Sequence, residues 1–251
     1  MTPAACERLH VRVPILLISA AAWVLLSVER DGTRLAAHCA LPMLGAMSSS
    51  PSLDAVIAFN PNAWLTVGWA LMLTAMMGPL LIAPVRHVHD RSFASRRARA
   101  IVLFLAGYAA IWIAAGVIFL TVALLVRLVA PESWITALVV VAALVWQLSP
   151  AKQACLNRGH AHPELAAFGP AANVDALRFG ITHGVWCIGS CWALMLLPFL
   201  ISRGHVAAMA AVTLWIFGER LETPKPPNWE LRSPSKAARI AAAQTRMWLQ
   251  R

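Results

Sequence analysis

A histidine and two cysteines recur at steps of four in one apolar stretch: His183, Cys187 and Cys191. On a helix of 3.6 residues per turn such steps drift by only about 40° each, so the imidazole and both sulfurs share one stripe. One imidazole with two thiols is a metal-ligand set. Met195 continues the spacing, and an accumulated drift of about 120° is expected to turn it away from a site centred on the cysteines. The same residues also suit plain packing, because cysteine is small and Gly184, Gly189 and Ser190 surround the pair as in a close helix contact. Spacing alone leaves both readings open.

A second apolar stretch carries Met72, Met76 and Met77, followed by Gly78 and Pro79. Met76 and Met77 come about nine residues before the cytoplasmic end of their helix, and the cysteines about four to eight after the cytoplasmic start of theirs, so the two sets can meet at one depth. Thioethers and thiolates together select soft metals, Cu(I) before others, while closed Cys and His sets also suit zinc. Pro79 frees a carbonyl within its helix, which is tolerated only where protein or a cavity supplies a partner.

Cys155 lies in Ser149-Pro150-Ala151-Lys152-Gln153-Ala154-Cys155, which predicts a helix restart with proline in its first turn and the thiol at the cytoplasmic mouth of the bundle. Lys152 is expected to be solvated rather than paired with that thiol. His160 is a candidate ligand in the same loop, followed by His162, with His87 and His89 in the loop before the third helix. On the other side, His38, Cys39, Met43 and Met47 make a further soft set, readable as an entry site or as an amphipathic segment on the membrane.

The elements that must position these groups are helices. Of 251 residues, 59% are hydrophobic and 13% charged, and the mean hydropathy is +0.66. A typical soluble domain carries about 25% charge. Apolar runs at 12–28, 63–85, 100–126, 134–149, 183–201 and 205–221 predict an all-α, polytopic transmembrane bundle of about six helices, with both termini cytoplasmic. Arg86, Arg91, Arg96, Arg97, Arg99, Lys152, Arg158, Arg178 and the basic residues beyond 219 fall on one side of that arrangement. Only Arg30, Arg34, Arg127 and Arg203 fall on the other, which places the chain in a bacterial inner membrane. Residues 1–221 form the bundle and 222–251 a basic cytoplasmic tail with a short amphipathic helix, either lying on the membrane or solvated. The first apolar run has no small-residue cleavage site after Val28 and reads as a retained helix.

The net charge of +10 is thus a topology and lipid signal rather than a nucleic-acid one, since no basic stripe is interleaved with stacking aromatics. Five cysteines spread along the chain do not suit a disulfide framework. Paired intramembrane carboxylates, a phosphate-binding glycine loop, a Ser-His-Asp arrangement and transporter-type repeats are all missing from the sequence.

Three stretches, Trp69 to Pro79, Trp146 to Leu156 and His183 to Met195, resemble a bacterial family of predicted metal-binding integral membrane proteins, over roughly residues 60–220. That family commonly has a second cysteine shortly after the position of Cys155, where this chain has Gly159 and His160, and adjacent cysteines where it has Ser190 and Cys191. The resemblance implies a metal-binding membrane protein without naming a reaction. The resulting expectation is a soft-metal site, copper with zinc as alternative, built from His183, Cys187, Cys191 and Met76 or Met77, with Met72 beside it and Cys155 and His160 at the mouth. Its partners would be the bilayer and a metal chaperone or other membrane subunits. A membrane thiol or metal oxidoreductase, and a metal-free structural subunit, are the alternatives.

Overall fold

In a computed structural model of the chain, residues 3–28, 61–129, 132–200, 204–232 and 234–249 are described, and among them every regular element is helical. The helices are α1 (Pro3–Val28), α2 (Pro61–Met77), α3 (Ile82–Arg91), α4 (Arg97–Val129), α5 (Glu132–Leu148), α6 (Pro150–Gly159), α7 (Gly169–Leu196), α8 (His205–Leu221) and α9 (Ser235–Leu249). Helices long and apolar enough to cross a membrane occur at Val67–Arg91, Ala94–Phe119 and Gly169–Leu196. A fourth is reached if Trp134–Leu148 and Pro150–Gly159, bent by 64°, count as one broken span; the apolar Val11–Ser27 is shorter.

Two differences from the sequence reading have simple causes. Helix α7 begins at Gly169 rather than at 183, because Asn173, Asp175 and Arg178 interrupt the apolar run without interrupting the helix. The run 63–85 is not one uniform helix: Gly78–Leu81 forms a 3-10 turn that joins α2 to α3. Pro79 has no N–H to give the carbonyl four residues earlier, that of Ala75. Helix α1 replaces the missing donor twice, with Ser19 Oγ and Trp23 Nε1 each donating to Ala75 O at 2.9 Å. The 3-10 turn is therefore held from outside by α1.

The most extensive packing is between α4 and α7, with α1 on α2 and α6 on α7 flanking it. The central pair crosses closely because of glycine: a Cβ at Gly180 would lie 2.0 Å from Phe104 O, and one at Gly107 would lie 2.6 Å from Leu177 O.

Helix α6 starts as its sequence predicts. Ser149 caps it by accepting from Lys152 N at 3.2 Å, with Pro150 in the first turn. Lys152, expected in solvent, is instead fully buried against Glu219 of α8, with Nζ to Oε2 at 2.7 Å. The segment after α8 is not a free tail either. Arg232 folds back to donate from Nε to Gln153 Oε1 at 2.7 Å and from Nη2 to Ser149 O at 2.9 Å, and Glu230 N donates to Leu148 O at 3.3 Å.

Candidate metal site

The stripe on α7 faces inward: Cys187 and Cys191 are 1% exposed and His183 is 6% exposed. Their neighbours come from α2, α4 and α8. Met72, Met76, Met77, Met195 and Met209 share one buried cluster with both cysteines, Tyr108 and Trp112. Five thioethers and two thiols thus occupy one core.

Within it the sulfurs meet in two pairs. Cys187 Sγ is 3.9 Å from Met77 Sδ, and Cys191 Sγ is 3.8 Å from Met195 Sδ. One turn apart on α7, the Cys191 thiol donates to Cys187 O at 3.0 Å. Metal–sulfur bonds of about 2.3 Å at trigonal or tetrahedral angles separate ligand sulfurs by roughly 3.8 to 4.0 Å. Both sulfur pairs have that separation, which is also that of the thiol-to-thioether contacts they make here, and sulfur donors are the chemistry a soft ion takes.

Met195, whose drift along the helix was expected to turn it aside, is in contact after all. A methionine has three rotatable bonds and reaches back along its own helix, so the position of its Cα does not fix that of its sulfur. His183 keeps to the stripe but sits in an aromatic enclosure, with ring centres 6.0 Å from Phe104, 6.1 Å from Tyr108 and 5.8 Å from Phe179. Among the described residues no three His, Cys, Asp or Glu side chains converge on a point. The groups next to the thiols are thioethers, which favours Cu(I) chemistry over zinc.

The two other candidates stand elsewhere. Cys155 lies against the far side of α7, where a Cβ at Gly189 would come 2.5 Å from its Sγ; Gly189 is about 200° around the helix from both Cys187 and Cys191. His160 uses both ring nitrogens on backbone carbonyls, Nδ1 with Leu156 O at 2.8 Å and Nε2 with Arg220 O at 3.0 Å, so neither nitrogen faces an open position. The segment with His38, Cys39, Met43 and Met47 lies outside the described residues.

Three contributors escaped the sequence reading. Tyr108 Oη lies 3.4 Å from Cys187 Sγ; it is the single tyrosine of the chain, set in an otherwise apolar helix where its hydroxyl needs a partner. Met209 joins the sulfur cluster from α8 with no companion methionine to mark it. Arg220, read as a topology charge, turns inward: its Nη2 donates to Ser190 Oγ at 3.2 Å, and it acts electrostatically on Cys155, Cys187 and Cys191.

Among the described residues, an all-helical scaffold surrounds a methionine-rich core with two thiols. The family model for PpoB2, described as a copper chaperone, matches residues 66–236, and the chain belongs to that family. The match runs from α2 to the start of α9 and includes the sulfur cluster, Glu219, Arg220 and Arg232. No curated protein and no solved structure matches the chain.

Proposed function

We propose that this copper chaperone is a multi-pass protein of the bacterial inner membrane that carries Cu(I) as cargo on Cys187 and Cys191, with Met77 and Met195 as flanking thioethers, and passes it to a protein partner. The observation that carries the reading is the two buried thiol–thioether contacts, Cys187 with Met77 at 3.9 Å and Cys191 with Met195 at 3.8 Å. Soft ligands suit Cu(I), and thioethers bind it without adding negative charge. Arg220 offsets the charge that two thiolates would bring into a dry core. Met72, Met76 and Met209 wall the same space.

Membrane placement, with about six passes and both termini cytoplasmic, is supported by the Lys and Arg asymmetry of the loops and by the outward faces of the helices. Leu17 and Ile18 of α1, Val117 and Ile118 of α4, and Leu138 and Val141 of α5 are large apolar side chains turned away from the core. Such a belt is stable in lipid and costly in water.

The test is X-ray absorption and elemental analysis of the detergent-purified chain after loading with Cu(I). Sulfur-coordinated copper is expected in the wild type and absent from a Cys187→Ser, Cys191→Ser variant; equal sulfur coordination in both would overturn the assignment.

A further inference from the structure

Two histidines separated in the sequence meet at the loop end of α7. The ring centres of His87, in α3, and His162, in the segment after α6, are 4.9 Å apart with their planes at 63°. Each ring has one nitrogen on a backbone carbonyl: His87 Nε2 donates to Pro163 O at 2.8 Å, and His162 Nδ1 donates to His160 O at 2.8 Å. A carbonyl only accepts, so these bonds assign the N–H to those nitrogens and leave lone pairs on His87 Nδ1 and His162 Nε2. Metal-ligating histidines are held in this way, with the outer N–H on a carbonyl while the other nitrogen binds. Desolvation by the surrounding loop, and next the neighbouring His87, lower the pKa of His162, which keeps its imidazole in the neutral form a metal needs.

The spacing also fits. An ion about 2.0 Å from one nitrogen of each of two imidazoles sets the ring centres roughly 5 to 6 Å apart, which side chains at this surface reach by small rotations. Inward of the pair stands Phe179, 5.7 Å from His87, 6.5 Å from His162 and 5.8 Å from His183, centre to centre. His183 is one helical turn before Cys187. A line of side chains thus leads from the two surface imidazoles to the sulfur core.

We propose that His87 and His162 form a two-imidazole acceptor site for a soft monovalent ion, from which the ion passes by His183 to the sulfurs of Cys187 and Cys191. The passage is ligand exchange with no change of oxidation state. Only the identity of the ion and its destination rest on the copper reading above; the imidazole pair stands on its own geometry.

The test loads full-length protein in detergent with Cu(I) held by a competing chelator and follows nitrogen-bound and sulfur-bound copper separately by X-ray absorption. The wild type is expected to hold one ion of each kind, and the Cys187→Ser, Cys191→Ser variant only the nitrogen-bound ion. The His87→Asn, His162→Asn variant should lack the nitrogen-bound ion and fill its sulfur site about tenfold more slowly. Nitrogen-bound copper that persists in the histidine variant, or that is missing when only the cysteines are replaced, overturns the acceptor site. An unchanged filling rate overturns the passage inward. Wild-type protein with nitrogen-bound copper and none on sulfur would instead overturn the buried cargo site and leave the imidazole pair standing.

Discussion

At the scale of single residues, Arg220 connects the chemistry of α7 to the ends of α6 and α8. Its guanidinium donates to Ser190, and a Cβ at Gly159 would lie 1.9 Å from its Nη1, so glycine there makes room for it. A Cu(I) ion with two thiolates carries a net negative charge, and a half-buried guanidinium beside them offsets part of that charge. Replacing Arg220 with Gln is expected to weaken Cu(I) binding by about tenfold or more, the usual effect of losing a group that supports a metal site. Competition with a chromophoric Cu(I) chelator measures this, and an unchanged affinity would remove Arg220 from the site. Met77→Leu probes the thioether. As a swap of similar volume it should cost under about 1.5 kcal/mol in stability, yet remove one sulfur from the copper shell seen by X-ray absorption. A methionine that only packs would leave that shell as it was.

Among the elements, the 3-10 turn between α2 and α3 matters most, because Met77, beside Cys187, leads directly into it. Pro79 interrupts the helical bonding there, and α1 makes good the loss through Ser19 and Trp23. Removing both donors, Ser19→Ala with Trp23→Phe, leaves a freed carbonyl unpaired and should cost about 1 to 3 kcal/mol. Denaturation in mixed micelles measures the loss, and a cost no larger than that of Ser19→Ala alone would argue against the shared role. A different device secures α9: Glu222 Oε1 accepts from Lys236 N and from Ser235 Oγ at 3.2 Å. These bonds, the backbone one foremost, lower the Glu222 pKa. A depressed carboxyl contributes stability that is fully present above its unfolded value, about 4.3, and is lost as pH falls through the folded value. Amide exchange at Ser235 and Lys236 should therefore accelerate on acidification below about pH 4, and exchange that does not respond to pH beyond its intrinsic rate change would exclude this cap.

For the molecule as a whole, the stretch Trp146 to Cys155 acts as a lock. Lys152 Nζ donates to both Glu219 oxygens and to Gln147 Oε1, Gln147 Nε2 donates to Glu219 Oε1, and Trp215 Nε1 donates to Glu219 Oε1 at 3.1 Å. Trp146 Nε1 adds a bond to Gly189 O at 2.9 Å, and Arg232 closes the assembly from the strap after α8. A buried pair broken by loss of one partner costs about 3 to 5 kcal/mol, whereas replacing both with apolar groups costs far less. Lys152→Met should thus destabilise strongly, and Lys152→Met with Glu219→Leu should recover most of the loss. Equal instability of the single and double variants would show that the lock acts through other groups.

The sequence by itself determined that the protein is helical and that two of its apolar stretches carry clustered sulfurs, because hydropathy and a step of four are local properties that helix geometry carries directly into space. It also told that Pro79 would leave a carbonyl needing a partner, though not that α1 supplies it. Only the tertiary structure decided which groups meet. Lys152 and Glu219 look like ordinary boundary charges in a linear chain, and they turn inward because the 64° bend after Leu148 and the returning strap bury them together. Cys155, grouped with the soft residues by its chemistry, lies across α7 from them: its neighbour Gly189 is two residues from Cys187 and from Cys191, an offset that rotates a helix by about 200°. Met195 took the opposite course, because a flexible thioether is placed by its neighbours rather than by its register.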